Sequence, residues 1–322
     1  GDLLPETLSQ PTLSAQQPTS KEAKAIKALV TLFDGAKTFG SLITVPDSVM
    51  QSLPLLDALL AKPLTGDLLF RQAQEDAQGA LKPLVEQARL LGGRYDCVVA
   101  NPPYIGGKGM NPRLKKYLQD NYTDVKSDVF AAFIVRDTLF AKPNGQLGFM
   151  SPFVWMFISS YEKLRRFLLD KKTITTLVQL EYSGFDGATV PICTFTIANS
   201  HNPDFKGGYV RLSDFRGSEN QAPKTREAVA NPACGWLFRA SATNFEQIPG
   251  SPIAYWAPET LFSAFERSSP FGKYLDAREG LTTGSNEAHV RYHFEVSNDR
   301  IGRGFSTRET AKSSGKKWFS YN

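Results

Sequence analysis

The run Asn101-Pro102-Pro103-Tyr104 is where residue types and order point most sharply to one chemistry. Asn101 offers a side-chain carbonyl oxygen and Pro102 a backbone carbonyl, and proline's fixed φ holds that carbonyl's direction. Two acceptors placed together suit a planar amino nitrogen such as that of adenine. Its lone pair is delocalised into the ring, which makes it a poor nucleophile. Accepting both of its hydrogens favours a pyramidal nitrogen and aims the lone pair at a methyl donor, a case of electrostatic preorganisation. Tyr104 adds an aromatic face for an extruded base, because an enzyme acting on a base must take it out of the duplex. Asn101, Pro102, Pro103 and Tyr104 are therefore the candidate catalytic residues, with Tyr104 also stacking. Without that chemistry the same four letters make a structural turn carrying a surface tyrosine.

The flanking sequence supplies elements to hold such a turn. Tyr95 to Ala100 is a short apolar run between Gly92-Gly93 and Asn101-Pro102-Pro103, which predicts a buried, parallel strand ending in a rigid turn. Ligands in open α/β sheets bind outside that carboxyl edge. A helical pattern follows over 128–141, a strand over 146–150, a helix over 159–169 and a strand over 175–180. The next run, Ile192 to Ala198, comes too soon for a helical crossover and predicts an antiparallel hairpin. Beyond residue 200 the strands read as irregular and Gly/Pro-rich, with a second domain starting before residue 250. Upstream, residues 1–20 form a loose lead-in, and Ser20 caps a first helix. A second helix starts near Asp47, and a third runs from Asp67 towards Leu91, kinked or divided by Pro83.

The stretch 94–200 resembles the catalytic half of adenine-specific DNA methyltransferases of the gamma arrangement. It is most similar to the large methyltransferase of BREX phage-defence systems (the PglX type). The text carrying the likeness includes Ala36-Lys37-Thr38-Phe39-Gly40-Ser41-Leu42-Ile43, the run from Asn101 through Ile105-Gly106-Gly107-Lys108-Gly109-Met110, and Ser127-Asp128-Val129-Phe130. Further on come Ser159-Ser160-Tyr161-Glu162, Arg278-Glu279-Gly280 continuing to Asn286, and Lys317-Trp318-Phe319-Ser320-Tyr321-Asn322. The resemblance implies an α/β fold: a partial Rossmann-like methyltransferase sheet, its parallel strands closed by an antiparallel hairpin. Residues 1–92 would form a helical insert, 93–215 the catalytic half-domain, and 216–322 the start of a target-recognition domain. It also implies S-adenosyl-L-methionine as methyl donor, double-stranded DNA as partner, and other phage-defence subunits as further partners. Phe185 sits where the family places an aromatic against the flipped base, although a loop-borne Phe also serves as a hydrophobic plug.

Lys108, among Gly106, Gly107 and Gly109, can neutralise a DNA phosphate, or the segment is a mobile loop. The family's Gly-rich donor turn after a first strand has no counterpart here, since Gly35, Gly40, Gly66 and Gly79 are isolated. No cofactor-binding residue is therefore assigned, and the chain reads as the middle of a longer protein, inactive alone. The missing initiator methionine agrees with that.

Charge is uneven: net −2 over residues 1–100, +4 over 101–170 and +3 over 171–322. Basic charge after residue 100 fits a side facing a polyanion, or an ordinary solvated surface. Cys97, Cys193 and Cys234 are odd in number and widely spaced, which favours a reducing cytoplasm over a disulfide framework. None follows a proline, as a cytosine-methylating nucleophile would. His201, His289 and His293 make no metal motif, and the nuclease-like spacing Glu22-Ala23-Lys24 lacks a partner. Two rivals stay open: a non-catalytic DNA-binding or assembly module, and a protein-glutamine amide methyltransferase.

Overall fold

The computed structural model describes residues 19–182, 184, 190–275 and 284–320. The chain divides into two compact units, Gly1–Glu266 and Arg267–Asn322. The first begins with four helices, α1 (Ser20–Leu32), α2 (Ala36–Phe39), α3 (Asp47–Leu60) and α4 (Leu68–Gly92). Thr19, not Ser20, caps α1: its side chain accepts from Glu22 N–H while Glu22 reaches back to Thr19 N–H. Glu22 also pairs with Lys62 at 2.8 Å and is buried, which accounts for it structurally. Nor does Pro83 divide α4. Ala77, Leu81, Val85 and Ala88 are buried on one face, and each large apolar side chain contributes about 1.5–3 kcal/mol. Together these exceed the roughly 3 kcal/mol cost of an interior proline.

The sheet follows. Its strands are β1 (Tyr95–Ala100), β2 (Ala141–Pro152), β3 (Thr173–Gln179), β4 (Ile192–Ala198), β5 (Gly207–Arg211) and β6 (Leu237–Ala240), in the order β1-β2-β4-β3-β5-β6. β1 is parallel to β2, and β3 to β5, while β4 runs antiparallel to both β2 and β3. The expected hairpin is thus present, with β4 inserted between β2 and β3. After residue 200 the chain is more regular than its composition suggests, since β5 and β6 extend the same sheet. Between strands lie α5 (Pro112–Asn121), α6 (Val129–Phe140), α7 (Glu162–Lys171) and α8 (Ser218–Ala230).

β1 is parallel as expected, but it is not buried. It lies at the sheet edge, with Val99 78% exposed and Tyr95 38% exposed. Its far edge, expected to be unpaired or covered by residues 1–90, is unpaired among the described residues, and the exposure of Val99 follows from that. The period of two sorts the rest of the sheet. Leu147, Phe149, Phe195, Ile197 and Leu177 are buried in one core with Phe130, Leu164 and Leu168. Gly148, Met150, Thr194 and Thr196 on the opposite face are only half-buried. The second unit has its own small pairing, β7 (Ile301–Gly302) parallel to β8 (Trp318–Phe319).

A polar clasp joins the helical region to α6. Arg136, 2% exposed, donates to the carbonyls of Ser41 (3.1 Å), Ile43 (2.8 Å) and Leu91 (2.9 Å). Tyr117 and Tyr122 both donate to the carbonyl of Leu42 between them, at 3.1 and 2.8 Å. Replacing Arg136 by Met orphans three carbonyls at about 1–3 kcal/mol each. The Arg136→Met chain is expected to lose about 3 kcal/mol in urea unfolding; an unchanged midpoint would contradict this role.

Asp137 gives a pH signature. Burial pushes its carboxyl up to about 7, opposed by the neighbouring Arg136 charge, and Oδ2 has no hydrogen-bond partner. Between the ordinary carboxylate range and about 7, the folded state keeps a proton that the unfolded chain has released. Stability should therefore fall as pH rises through that window and level off above it. Urea titrations of Asp137→Asn from pH 4 to 8 should lack that component; curves parallel to the parent's would refute it.

Candidate active site

The Asn101–Tyr104 turn leaves the carboxyl end of β1, beside the point where Ala100 pairs with Phe149 of β2. Pro102 is buried, while Asn101 and Pro103 are exposed and Tyr104 is half-buried. Two fixed φ angles and one buried ring make the turn stiff, so Asn101 is displayed on a rigid support. Tyr104 Oη donates to Asn101 Oδ1 at 3.0 Å. That bond orients the Asn101 amide and occupies one lone pair of its oxygen. The Tyr104 ring meets Phe130 edge-on, with centroids 6.4 Å apart and planes at 89°. Burial raises the Tyr104 phenol above its ordinary range, with Cys193 adding to the shift, so at neutral pH it remains a neutral donor.

Support comes from the start of α6. Asp128 Oδ1 accepts from Ile105 N–H at 3.2 Å and from Phe130 N–H at 3.2 Å. Ile105 O in turn accepts from Val129 N–H at 3.1 Å, and Gly106 forms an antiparallel bridge with Asp128. Burial raises the Asp128 carboxyl above the usual carboxylate range, against the lowering effect of these backbone donors. Tyr161 packs on Phe130 at 5.5 Å, and burial pushes its phenol up to about 12. On β4, the buried Cys193 thiol is also pushed up to about 12, which leaves it inert rather than nucleophilic.

Next to Asn101 a cavity of about 370 Å³ is lined by Val99, Ala100, Gly148, Met150, Thr176 and Thr196, among others. Asn101 is the one strongly polar group there. Among the described residues no strand precedes β1. Gly35 and Gly40 flank the short α2, Gly66 precedes α4 and Gly79 lies within it. The cavity lining includes no carboxylate to hold ribose hydroxyls. These residues do not by themselves fit S-adenosylmethionine.

The structure therefore brings together Asn101, Pro102, Pro103 and Tyr104. It places Lys108 in an exposed turn closed by Gly109 N–H to Gly106 O at 2.8 Å. Phe185 lies outside the described residues. No group of three or more metal-ligating side chains occurs among the described residues, nor is any helix there long and apolar enough to cross a membrane. Sequence reasoning gave no role to Asp128 or Phe130. An Asp immediately before an apolar helical run was the available signal, since it marks a helix cap.

Residues 56–185 match the model of the Eco57I restriction-modification methylases. The adenine-specific methyltransferase BrxX of Escherichia coli O9:H4 (strain HS) is 37% identical over 311 residues, covering 93% of this chain and 25% of that protein. The adenine-specific methyltransferase PglX of Lacticaseibacillus casei (strain Zhang) is 33% identical over 295 residues, covering 90% and 24%. The chain thus spans about a quarter of the length of these curated relatives. Among solved structures, a type I restriction-modification methyltransferase subunit from Streptococcus thermophilus superposes with a TM-score of 0.39 at 14% identity. That superposition covers 73% of this chain and 57% of the other.

Because these residues do not by themselves fit S-adenosylmethionine, this chain alone should bind it more weakly than about 1 mM, or −4 kcal/mol. Calorimetry giving a micromolar Kd would overturn that assessment.

Proposed function

Residues 56–185 belong with the Eco57I restriction-modification methylases and nearly the whole chain is homologous to BREX-type adenine-specific methyltransferases; from that premise we propose that it forms the central part of a DNA adenine methyltransferase. In the longer protein the methyl donor is S-adenosylmethionine, held largely by residues beyond those described here. The acceptor is the exocyclic amine of an adenine extruded from duplex DNA. Residues 1–92 act as a helical insert, 93–215 as the catalytic half-domain and 216–322 as the start of the recognition domain. Phage defence in the cytoplasm, alongside other defence subunits, is the setting this reading implies.

The observation that carries it is the Asn101 oxygen: exposed at the carboxyl end of β1, next to a cavity, and oriented by Tyr104 Oη at 3.0 Å. In this reading Asn101 Oδ1 and the Pro102 carbonyl accept the two amine hydrogens as the base arrives. Sharing or releasing the Tyr104 hydroxyl lets Oδ1 take the amine. The Tyr104 ring, backed by Phe130, stacks on the base. Phe185 supplies a second aromatic surface and Lys108 a phosphate contact. A non-catalytic DNA-binding or assembly module remains the second reading for this chain by itself, favoured by the absence of a donor turn among the described residues.

Asn101→Ala is tested in the protein of the relatives' length. Losing a comparable preorganised polar group costs about 10²–10³ in rate, so methylation should fall by that factor with duplex binding little changed. Tyr104→Ala should weaken the hold on the base, while Tyr104→Phe keeps the π-face and base binding but loses the Oη bond that orients Asn101, so its rate should fall between the parent's and that of Asn101→Ala. An Asn101→Ala rate within about threefold of the parent would make the turn structural and favour the module.

A further inference from the structure

We propose that Asp128 is a positioning residue for the Asn101–Tyr104 turn, holding through one carboxylate oxygen both the backbone that follows Tyr104 and the helix turn that backs its ring. The inference rests on the reading of that turn as the base-receiving site, and goes beyond it by naming what sets its geometry.

Asp128 Oδ1 accepts from two backbone donors. A helix cap needs only the bond from Phe130 N–H, two residues on. Ile105 N–H, 23 residues earlier in the chain, donates to the same oxygen at the same 3.2 Å. Val129 N–H returns a bond to Ile105 O at 3.1 Å, so residues 105–106 and 128–129 are zipped from both sides. Ile105 directly follows Tyr104, and Phe130 meets the Tyr104 ring edge-on. A shift of Asp128 would therefore move both the Tyr104 backbone and the surface against which its ring rests. Asp128 is thus the side chain that holds the Ile105 amide. Asp128 touches no reacting atom in this arrangement. It acts through Tyr104 and, by the Tyr104–Asn101 bond, through Asn101.

Three substitutions separate the clamp from the cap. Asp128→Asn keeps an acceptor oxygen at the same reach. Asp128→Ser keeps a good helix cap but is one atom too short to span to Ile105. Asp128→Ala loses both. The chain labelled with 3-fluorotyrosine is observed by ¹⁹F NMR, with Tyr104→Phe identifying the Tyr104 resonance. Amide exchange at Ile105 is followed in parallel. In Asp128→Ser the Tyr104 resonance should shift or broaden and Ile105 N–H should exchange about tenfold faster, with the urea midpoint near the parent's. Asp128→Asn should restore both signals. In the longer enzyme, Asp128→Ser should lower kcat for methyl transfer at least about tenfold with KM for DNA little changed, and Asp128→Asn should recover it. A parent-like Tyr104 resonance and Ile105 protection in Asp128→Ser would overturn the proposal. The spectroscopic result stands apart from methylation. A clamp seen by NMR in a protein whose methylation ignores Asn101→Ala would refute the methyltransferase reading while leaving the clamp intact.

Discussion

Among the described residues β1 takes its ladder from β2 alone, and the backbone on either side of it is tied down by side chains from outside the sheet. One helix supplies them. Arg136, near the end of α6, takes the Leu91 carbonyl just before β1, and Asp128, at the helix cap, takes the Ile105 amide just after it. The helix between them is apolar on most sides, with Phe130, Ala131, Ala132 and Ile134 all buried. A buried helix of twelve residues is a stiff spacer. Its two polar ends therefore set where β1 starts and where the turn after it lies. The helical region hangs from the same residue, because the Arg136 guanidinium also holds the carbonyls of Ser41 and Ile43.

That arrangement suits a site whose acceptors must stand still. Preorganised dipoles work because they need not reorient as charge moves. Asn101 satisfies this through neighbours rather than through burial: it is exposed, yet its amide is set by Tyr104, whose ring and backbone are set by α6. A second buried guanidinium makes an analogous tie further along. Arg165 donates to the carbonyls of Trp155, Ile158 and Gly250, which fixes the chain leaving β2. Both arginines serve carbonyls, and five donors in a rigid plane explain the choice of residue.

Much of this was legible in the sequence. The alternation of strand and helix after Arg94, the hairpin of β3 with β4 and the turn at Asn101 follow from periodicity and from proline chemistry. The free far edge of β1 was expected too, but the exposure of Val99 and Tyr95 was not, because an apolar run does not itself show whether a second neighbour covers it. The regular strand β5 was hidden by glycines at 207 and 208, the first at a place where a Cβ would come within 2.6 Å of Ile174 O. Pro83 read as a break because its local cost is visible while the packing that offsets it is not. Asp128 and Arg136 act through contacts 23 and 45 or more residues away, a range over which single-sequence patterns carry little information.

The central claim, that the Asn101–Tyr104 turn receives an extruded base, is tested most directly by photocrosslinking. The protein of the relatives' length is bound to a duplex carrying 5-iodouracil in place of the methylated adenine, then irradiated and digested. A crosslink on the peptide containing Tyr104, lost in Tyr104→Ala, is the predicted result. Efficient crosslinking confined to other peptides, with the duplex fully bound, would contradict it.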